Sequence, residues 1–162
     1  MPGALMDRLI LRRSTITIST ALRSVASSEA RLCGCFLLHR ILLNRDDAAH
    51  RQALQLITSG GIEAVTTVAV LLEVADAMAS PSRRVACSEF LANLAIQPPN
   101  MIRRLDDNLI ERSLALYRSR VDKDWSLTDC ISFVVMKDEG LTEALTGDRH
   151  YAQAGFIPLM VS

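Results

Sequence analysis

The stretch from Asp122 to Phe156 reads DKDWSLTDCISFVVMKDEGLTEALTGDRHYAQAGF, and it decides the fold. Asp129 opens an apolar helix predicted over 130–137, and Asp148 follows a short predicted strand over 143–146. In parallel sheets, functional residues gather beyond the carboxyl ends of the strands, next to the first turns of helices. The spacing therefore predicts that the two carboxylates meet at one edge of a sheet.

Helix and strand patterns alternate along the chain. Helices are predicted over 48–59, 68–79, 82–94, 106–118 and 149–153, and strands over 62–67, 100–105 and 156–161, with a strand running into a helix over 32–43. The helix over 68–79 is apolar nearly all round, which predicts that it is buried. Alternating strands and helices indicate an α/β domain with a mainly parallel sheet, here over residues 32–162.

Composition limits the class of protein. The chain has 162 residues, 49% of them apolar, which suits one globular domain and argues against disorder. No apolar run is long enough for a membrane helix, so we expect no membrane association. The four Cys have no zinc or disulfide spacing, which predicts reduced thiols in a cytoplasm.

The first 31 residues differ from the rest. Residues 1–45 hold seven Arg and two acidic residues, whereas residues 46–162 hold eleven Lys and Arg and sixteen acidic residues. An Arg- and Ser-rich start of this kind is compatible with a transit peptide, a mis-assigned start or non-native translation. We expect residues 1–31 to be an atypical, poorly ordered segment.

Three carboxylates are the candidates for chemistry: Glu73, Asp129 and Asp148. Glu73 lies inside an apolar helix, where an unpaired charge is costly. Asp129 and Asp148 could also be ordinary helix caps. Three acids from separate elements would form an oxygen site of the kind that Mg²⁺ or Mn²⁺ prefers.

Their neighbours have weaker claims. Asp122 and Asp124 lie in a polar turn and favour a solvated position, while Arg149 could contact phosphate. His150 could be a general base, but a lone histidine is more often a surface residue. The sequence has no catalytic triad pattern, phosphate-binding P-loop or dinucleotide fingerprint.

Four stretches together resemble the PIN-domain family, and in particular its VapC-type toxin ribonucleases. They are Thr66–Val74, Asp122–Phe133, Glu143–Tyr151 and Ala154–Phe156. The resemblance implies a three-layer α/β/α sandwich and an endoribonuclease of a toxin–antitoxin system, in which a metal-activated water cleaves RNA. It assigns catalysis and metal binding to Glu73, Asp129 and Asp148, with Asp122 and Ser126 in support. It also implies Mg²⁺ or Mn²⁺ as cofactor, RNA as substrate, an antitoxin as partner and a homodimer.

One family acid is missing from this chain. The family has an Asp at the end of its first strand, which belongs near residue 34 or 35, where this sequence has Gly34 and Cys35. No acid lies between Glu29 and Asp46. Synonymous codons for residues 33–41, read one nucleotide later, encode Val-Asp-Ala-Ser-Phe-Phe-Ile-Ala, so a frameshift is one hypothesis; it predicts an insertion or deletion in the gene near the codons for residues 40–42.

The missing Asp leaves three interpretations open. A PIN ribonuclease with weakened metal binding is the first. An inactive PIN-fold module that binds antitoxin or RNA is the alternative. The third is an unrelated α/β protein whose acids are helix caps, which predicts that Glu73, Asp129 and Asp148 lie far apart.

Overall fold

A parallel sheet flanked by helices makes up the part of the chain that the computed structural model describes, residues 30–33, 63–95 and 102–160. Its strands are β1 (Ala30–Cys33), β2 (Glu63–Thr67), β3 (Ile102–Arg103), β4 (Glu143–Leu145) and β5 (Ile157–Pro158). Its helices are α1 (Val68–Ala77), α2 (Pro81–Ala95), α3 (Asp107–Ser119), α4 (Leu127–Asp138) and α5 (Arg149–Gln153).

The strand order is β3-β2-β1-β4-β5, and each neighbouring pair is parallel. β1 is central: Leu32 pairs with Val65 of β2, and Cys33 pairs with Leu145 of β4. Because all the strands run the same way, their carboxyl ends lie along one edge of the sheet. The predicted α/β fold with a mainly parallel sheet is confirmed.

Most element boundaries lie within three residues of the predicted ones. The last strand is shorter, Ile157–Pro158 rather than 156–161, and β1 begins at Ala30, ahead of the predicted domain start at residue 32. Residues 1–29, with most of the atypical segment, and the predicted helix over 48–59 lie outside the described residues. The predictions for those segments stay predictions.

The prediction that the helix over 68–79 is fully buried is wrong for one face. Ala69, Val70 and Val74 of α1 are buried, but Leu72 is 57% exposed and Glu73 is also exposed. A run of apolar residues does not show which side of a helix has a partner. The exposed side of α1 is the side that carries Glu73, so this acid does not bear the burial cost that its apolar neighbours suggest.

Helix α4 is the centre of the core. Seven consecutive residues, Cys130 to Met136, are buried. The helix ends at Asp138; Gly140, just after its C-cap, has a φ of +66°, and the Leu141 amide donates to the Met136 carbonyl at 2.8 Å. This is the backbone pattern in which glycine closes a helix most easily. In the described residues, no helix is long and apolar enough to cross a membrane.

An aromatic cluster joins the start of α4 to α5. The Phe133 ring meets the rings of Trp125 and Tyr151 edge-on, each at 5.0 Å between centroids, and lies 5.7 Å from Phe156. The Trp125 indole N–H donates to the Gln153 Oε1 at 3.1 Å. These contacts hold together two helices, with Asp129 in the first turn of α4 and Asp148 as the N-cap of α5.

Phe133→Ala should therefore strongly destabilise the protein. Removing a fully buried aromatic ring costs about 3–5 kcal/mol in the free energy of unfolding, through lost burial and the cavity left behind. Urea unfolding followed by circular dichroism measures the change. Tyr117→Ala is the control, because that residue is 48% exposed. An equal decrease in the free energy of unfolding in both variants would contradict the central place of Phe133 in the core.

Candidate metal centre

A pocket of about 380 Å³ lies where the start of α4 and the segment joining β4 to α5 approach α1. Its lining residues are Val70, Glu73, Asp124, Ser126, Thr128, Asp129, Thr146, Asp148, His150 and Tyr151. All three predicted acids therefore face one pocket. The interpretation that they are unrelated caps, far apart from one another, is contradicted by this arrangement.

Asp129 is positioned by the first turn of α4. Its Oδ2 accepts a hydrogen bond from the Ser126 amide at 2.8 Å, and its own amide donates to the Ser126 Oγ at 3.0 Å. This reciprocal capping box holds the carboxylate at the helix start, where the helix dipole favours negative charge. The side chain remains 15% exposed, toward the pocket.

Asp148 is held in a similar way by α5. Its Oδ1 accepts a hydrogen bond from the His150 amide at 2.8 Å, and its amide donates to the Thr146 Oγ1 at 3.1 Å. Among the described residues, hydrogen bonds reach only one carboxylate oxygen of Asp148 and one of Asp129. Each acid therefore caps a helix and still offers an oxygen atom to a ligand.

His150 brings a nitrogen atom between these two acids. Its Nδ1 lies 3.3 Å from Asp129 Oδ2 and 3.4 Å from Asp148 Oδ1, and its side chain is 19% exposed. The interpretation of His150 as a surface histidine therefore misses its position. The sequence signal was its place two residues after Asp148, which puts both side chains in the same helical turn.

Glu73 also lines the pocket, but it lies outside the group of close donor atoms. The ligand atoms of Asp129, Asp148 and His150 all lie within 4.8 Å of one another, a group that does not include Glu73. Glu73 reaches the pocket from the exposed face of α1. The structure thus places two of the three predicted acids together and the third beside them.

The two residues assigned to a supporting role differ in position. Ser126 lines the pocket and caps α4. Asp122 is not among the lining residues, and it forms an ion pair with Arg120, with Nε and Oδ1 2.8 Å apart. The Arg120 hydrogen bonds lower the pKa of Asp122 to about 2, which keeps this exposed carboxylate ionised. Asp124, two residues later, lines the pocket instead.

A protein-family model described as the PIN domain matches residues 37–157. The chain belongs to the PIN-domain family. Its fold is similar to that of VapC20 from Mycobacterium tuberculosis, described as a sarcin-ricin loop cleaving toxin, with a TM-score of 0.66 and 23% identity. That similarity covers 79% of this chain and 97% of the VapC20 chain. No curated protein matches the sequence.

The family match begins after β1, although β1 is the central strand of this PIN domain. Residue 34 follows β1 directly in the chain and is a glycine. The described acids of the pocket come from α1, from α4 and the segment before it, and from the residue before α5. The site of this PIN domain therefore depends on those three elements.

The donor set fits a divalent cation. Two carboxylates and an imidazole are ordinary ligands for such ions, and their atoms are close enough together for one ion to contact all three. The hydrogen bonds to Asp129 and Asp148 orient the carboxylates without occupying both oxygens. Partners of this kind typically raise metal affinity by fixing the ligands in place.

Proposed function

We propose that this PIN domain is a metal-dependent endoribonuclease of toxin–antitoxin type, cleaving RNA phosphodiesters with a metal-activated water. The observation that carries the proposal is the convergence of Asp129 and Asp148, with Glu73 beside them, on one pocket. VapC20 is a toxin that cleaves the sarcin-ricin loop, and its fold similarity supports an RNA substrate for this chain.

The pocket residues would have different roles according to their positions. Asp129 and Asp148 would hold Mg²⁺ or Mn²⁺, and their helix caps keep both carboxylates aimed at the pocket. When bound, the ion would offset charge on the phosphodiester and activate water. Glu73, which also lines the pocket, would add negative charge and accept hydrogen bonds from the attacking water.

The absence of an acid at residues 34 and 35 supports reduced activity in this form. Each carboxylate lost from a Mg²⁺ site weakens binding, because few protein ligands hold this ion. The second candidate function is therefore an inactive PIN module that still binds antitoxin or RNA. Metal titration separates the two, since the module predicts no binding at Asp129 and Asp148. An antitoxin partner, a homodimer and a cytoplasmic location stay predictions.

The test is RNA cleavage by the purified chain with Mg²⁺, Mn²⁺ or a chelator. We expect slow cleavage of a sarcin-ricin stem-loop or other structured RNA that stops when the chelator removes the ion. Glu73→Gln should lower the rate by about tenfold, or about 1.4 kcal/mol, because it removes charge from the pocket wall.

Glu89→Gln is the matched control, since Glu89 is exposed on α2 and outside the pocket. It should leave the rate unchanged. Cleavage that persists in the chelator would contradict a metal-dependent mechanism. No cleavage with any ion would favour the inactive module.

A further inference from the structure

His150 is outside the set of acids on which the proposed function rests, yet it is the third member of the tightest group of donor atoms. We propose that His150 Nδ1 binds the ion directly, and that this nitrogen makes the site prefer Mn²⁺ and other first-row transition ions over Mg²⁺. The proposal depends on the metal site proposed above and adds the ligand that sets its selectivity.

The position of the imidazole supports direct binding. Two ligand atoms bound side by side on one ion, with bonds of about 2.1–2.2 Å, lie about 3 Å apart. Nδ1 lies 3.3 Å from one carboxylate oxygen and 3.4 Å from the other. All three ligand atoms lie within 4.8 Å of one another, so small side-chain movements would bring them onto one ion.

A purely hydrogen-bonding role explains these distances less well. An N–H group that donates to oxygen usually lies 2.7–3.2 Å from it, and a charged pair is closer still. Nδ1 is 3.3 Å from Asp129 Oδ2, a long hydrogen bond, and 3.4 Å from Asp148 Oδ1, so it is placed almost equally between the two oxygens. That position suits an atom that shares a common partner with the carboxylates.

The backbone limits where the ring can go. The His150 amide donates to Asp148 Oδ1 at 2.8 Å, which ties this residue to the acid that it would join at the ion. The neighbouring Tyr151 is buried against Phe133 at 5.0 Å between ring centroids. The first turn of α5 is thus anchored on the core, and the imidazole is directed into the pocket.

The selectivity follows from ligand chemistry. Mg²⁺ binds oxygen almost exclusively, whereas imidazole suits transition ions, whose affinity rises from Mn²⁺ through Co²⁺ to Ni²⁺. A site with two carboxylates and one imidazole also carries less negative charge than an all-acid site. Both effects favour a transition ion.

Titrations of the chelator-stripped full chain with Mg²⁺ and with Mn²⁺ test the proposal. We expect Mn²⁺ to bind at least about tenfold more tightly than Mg²⁺. His150→Ala should weaken Mn²⁺ binding by about 10–100-fold and Mg²⁺ binding by much less. His150→Asp should reverse the preference by supplying an oxygen ligand. Arg149→Ala, an exposed neighbour outside the pocket, should change neither affinity.

Pulsed electron paramagnetic resonance of bound Mn²⁺ detects its nitrogen ligands directly on the unaltered chain. It therefore tests the role of His150 even where a variant fails to fold. Coupling to a directly bound imidazole nitrogen supports the proposal, and its absence overturns it. Asp129→Asn separates this result from the proposed function. If Asp129→Asn abolishes Mn²⁺ binding but no nitrogen coupling exists, only the role of His150 is wrong. If Asp129→Asn leaves Mn²⁺ binding intact, the metal site itself is wrong.

Discussion

Asp129→Asn should abolish RNA cleavage while the protein stays folded. The substitution removes the charge of a carboxylate that lines the pocket, and with it a ligand that the ion requires. We expect the cleavage rate to fall by at least about 100-fold, equivalent to about 2.7 kcal/mol of transition-state stabilisation. Single-turnover cleavage of a labelled RNA measures the change.

Stability should respond differently from activity. An asparagine oxygen can still accept the hydrogen bond from the Ser126 amide, so the helix cap is kept. The lost charge costs about 0.3–1 kcal/mol at the helix start, and relief of repulsion with Asp148 offsets part of that cost. We therefore expect the free energy of unfolding to stay within about 1 kcal/mol of the unaltered value.

Asp138→Asn is the matched control for this variant. Asp138 ends the same helix and pairs with Arg112 at the surface, outside the pocket. Its substitution should leave cleavage intact. A loss of activity in Asp129→Asn that only accompanies unfolding, or an equal loss in Asp138→Asn, would contradict the assignment of Asp129 to the ion.

Gly34→Asp should increase both Mg²⁺ affinity and activity. Residue 34 follows β1 directly, and the carboxyl end of β1 lies between those of β2 and β4, which lead to α1 and to Asp148. A carboxylate added at this point would supply the acid that the PIN resemblance expects. We predict that Mg²⁺ binds at least about tenfold more tightly, or about 1.4 kcal/mol.

Gly34→Asn is the control, because it adds a side chain of the same shape without the charge. The Mg²⁺ affinity measured by isothermal titration and the RNA cleavage rate should both increase in Gly34→Asp and not in Gly34→Asn. An unchanged affinity in both variants would show that the position after β1 does not contribute to the site. An equal increase in both would show that the side chain acts by shape and not by charge.

The sequence predicts the fold well where local and tertiary preferences agree. The α4 helix has a capping box at Ser126 and Asp129, an apolar body and a glycine at its end, so its pattern leaves little ambiguity. The exposed side of α1 was missed because Leu72 lies there beside Glu73, in a helix whose other residues are nearly all apolar. Only the packing partners of a helix decide which of two apolar faces is covered.

The site was predicted in part for the same reason. Asp129 and Asp148 follow from their places at helix starts near strand ends, which are local features of the chain. The place of His150 between them depends on the approach of α5 to α4 across 21 residues. Likewise, Asp122 pairs with Arg120, whereas Asp124 lines the pocket. Which of these two acids reaches the pocket depends on side-chain contacts that residue spacing does not show.

The central claim is that Asp129 and Asp148 together hold one divalent cation. Anomalous diffraction from crystals of the full chain grown with Mn²⁺ tests it most directly. We predict one strong peak within about 2.0–2.4 Å of an oxygen from each of these carboxylates. A fully formed pocket with no peak, or a peak bound only by other residues, would contradict it.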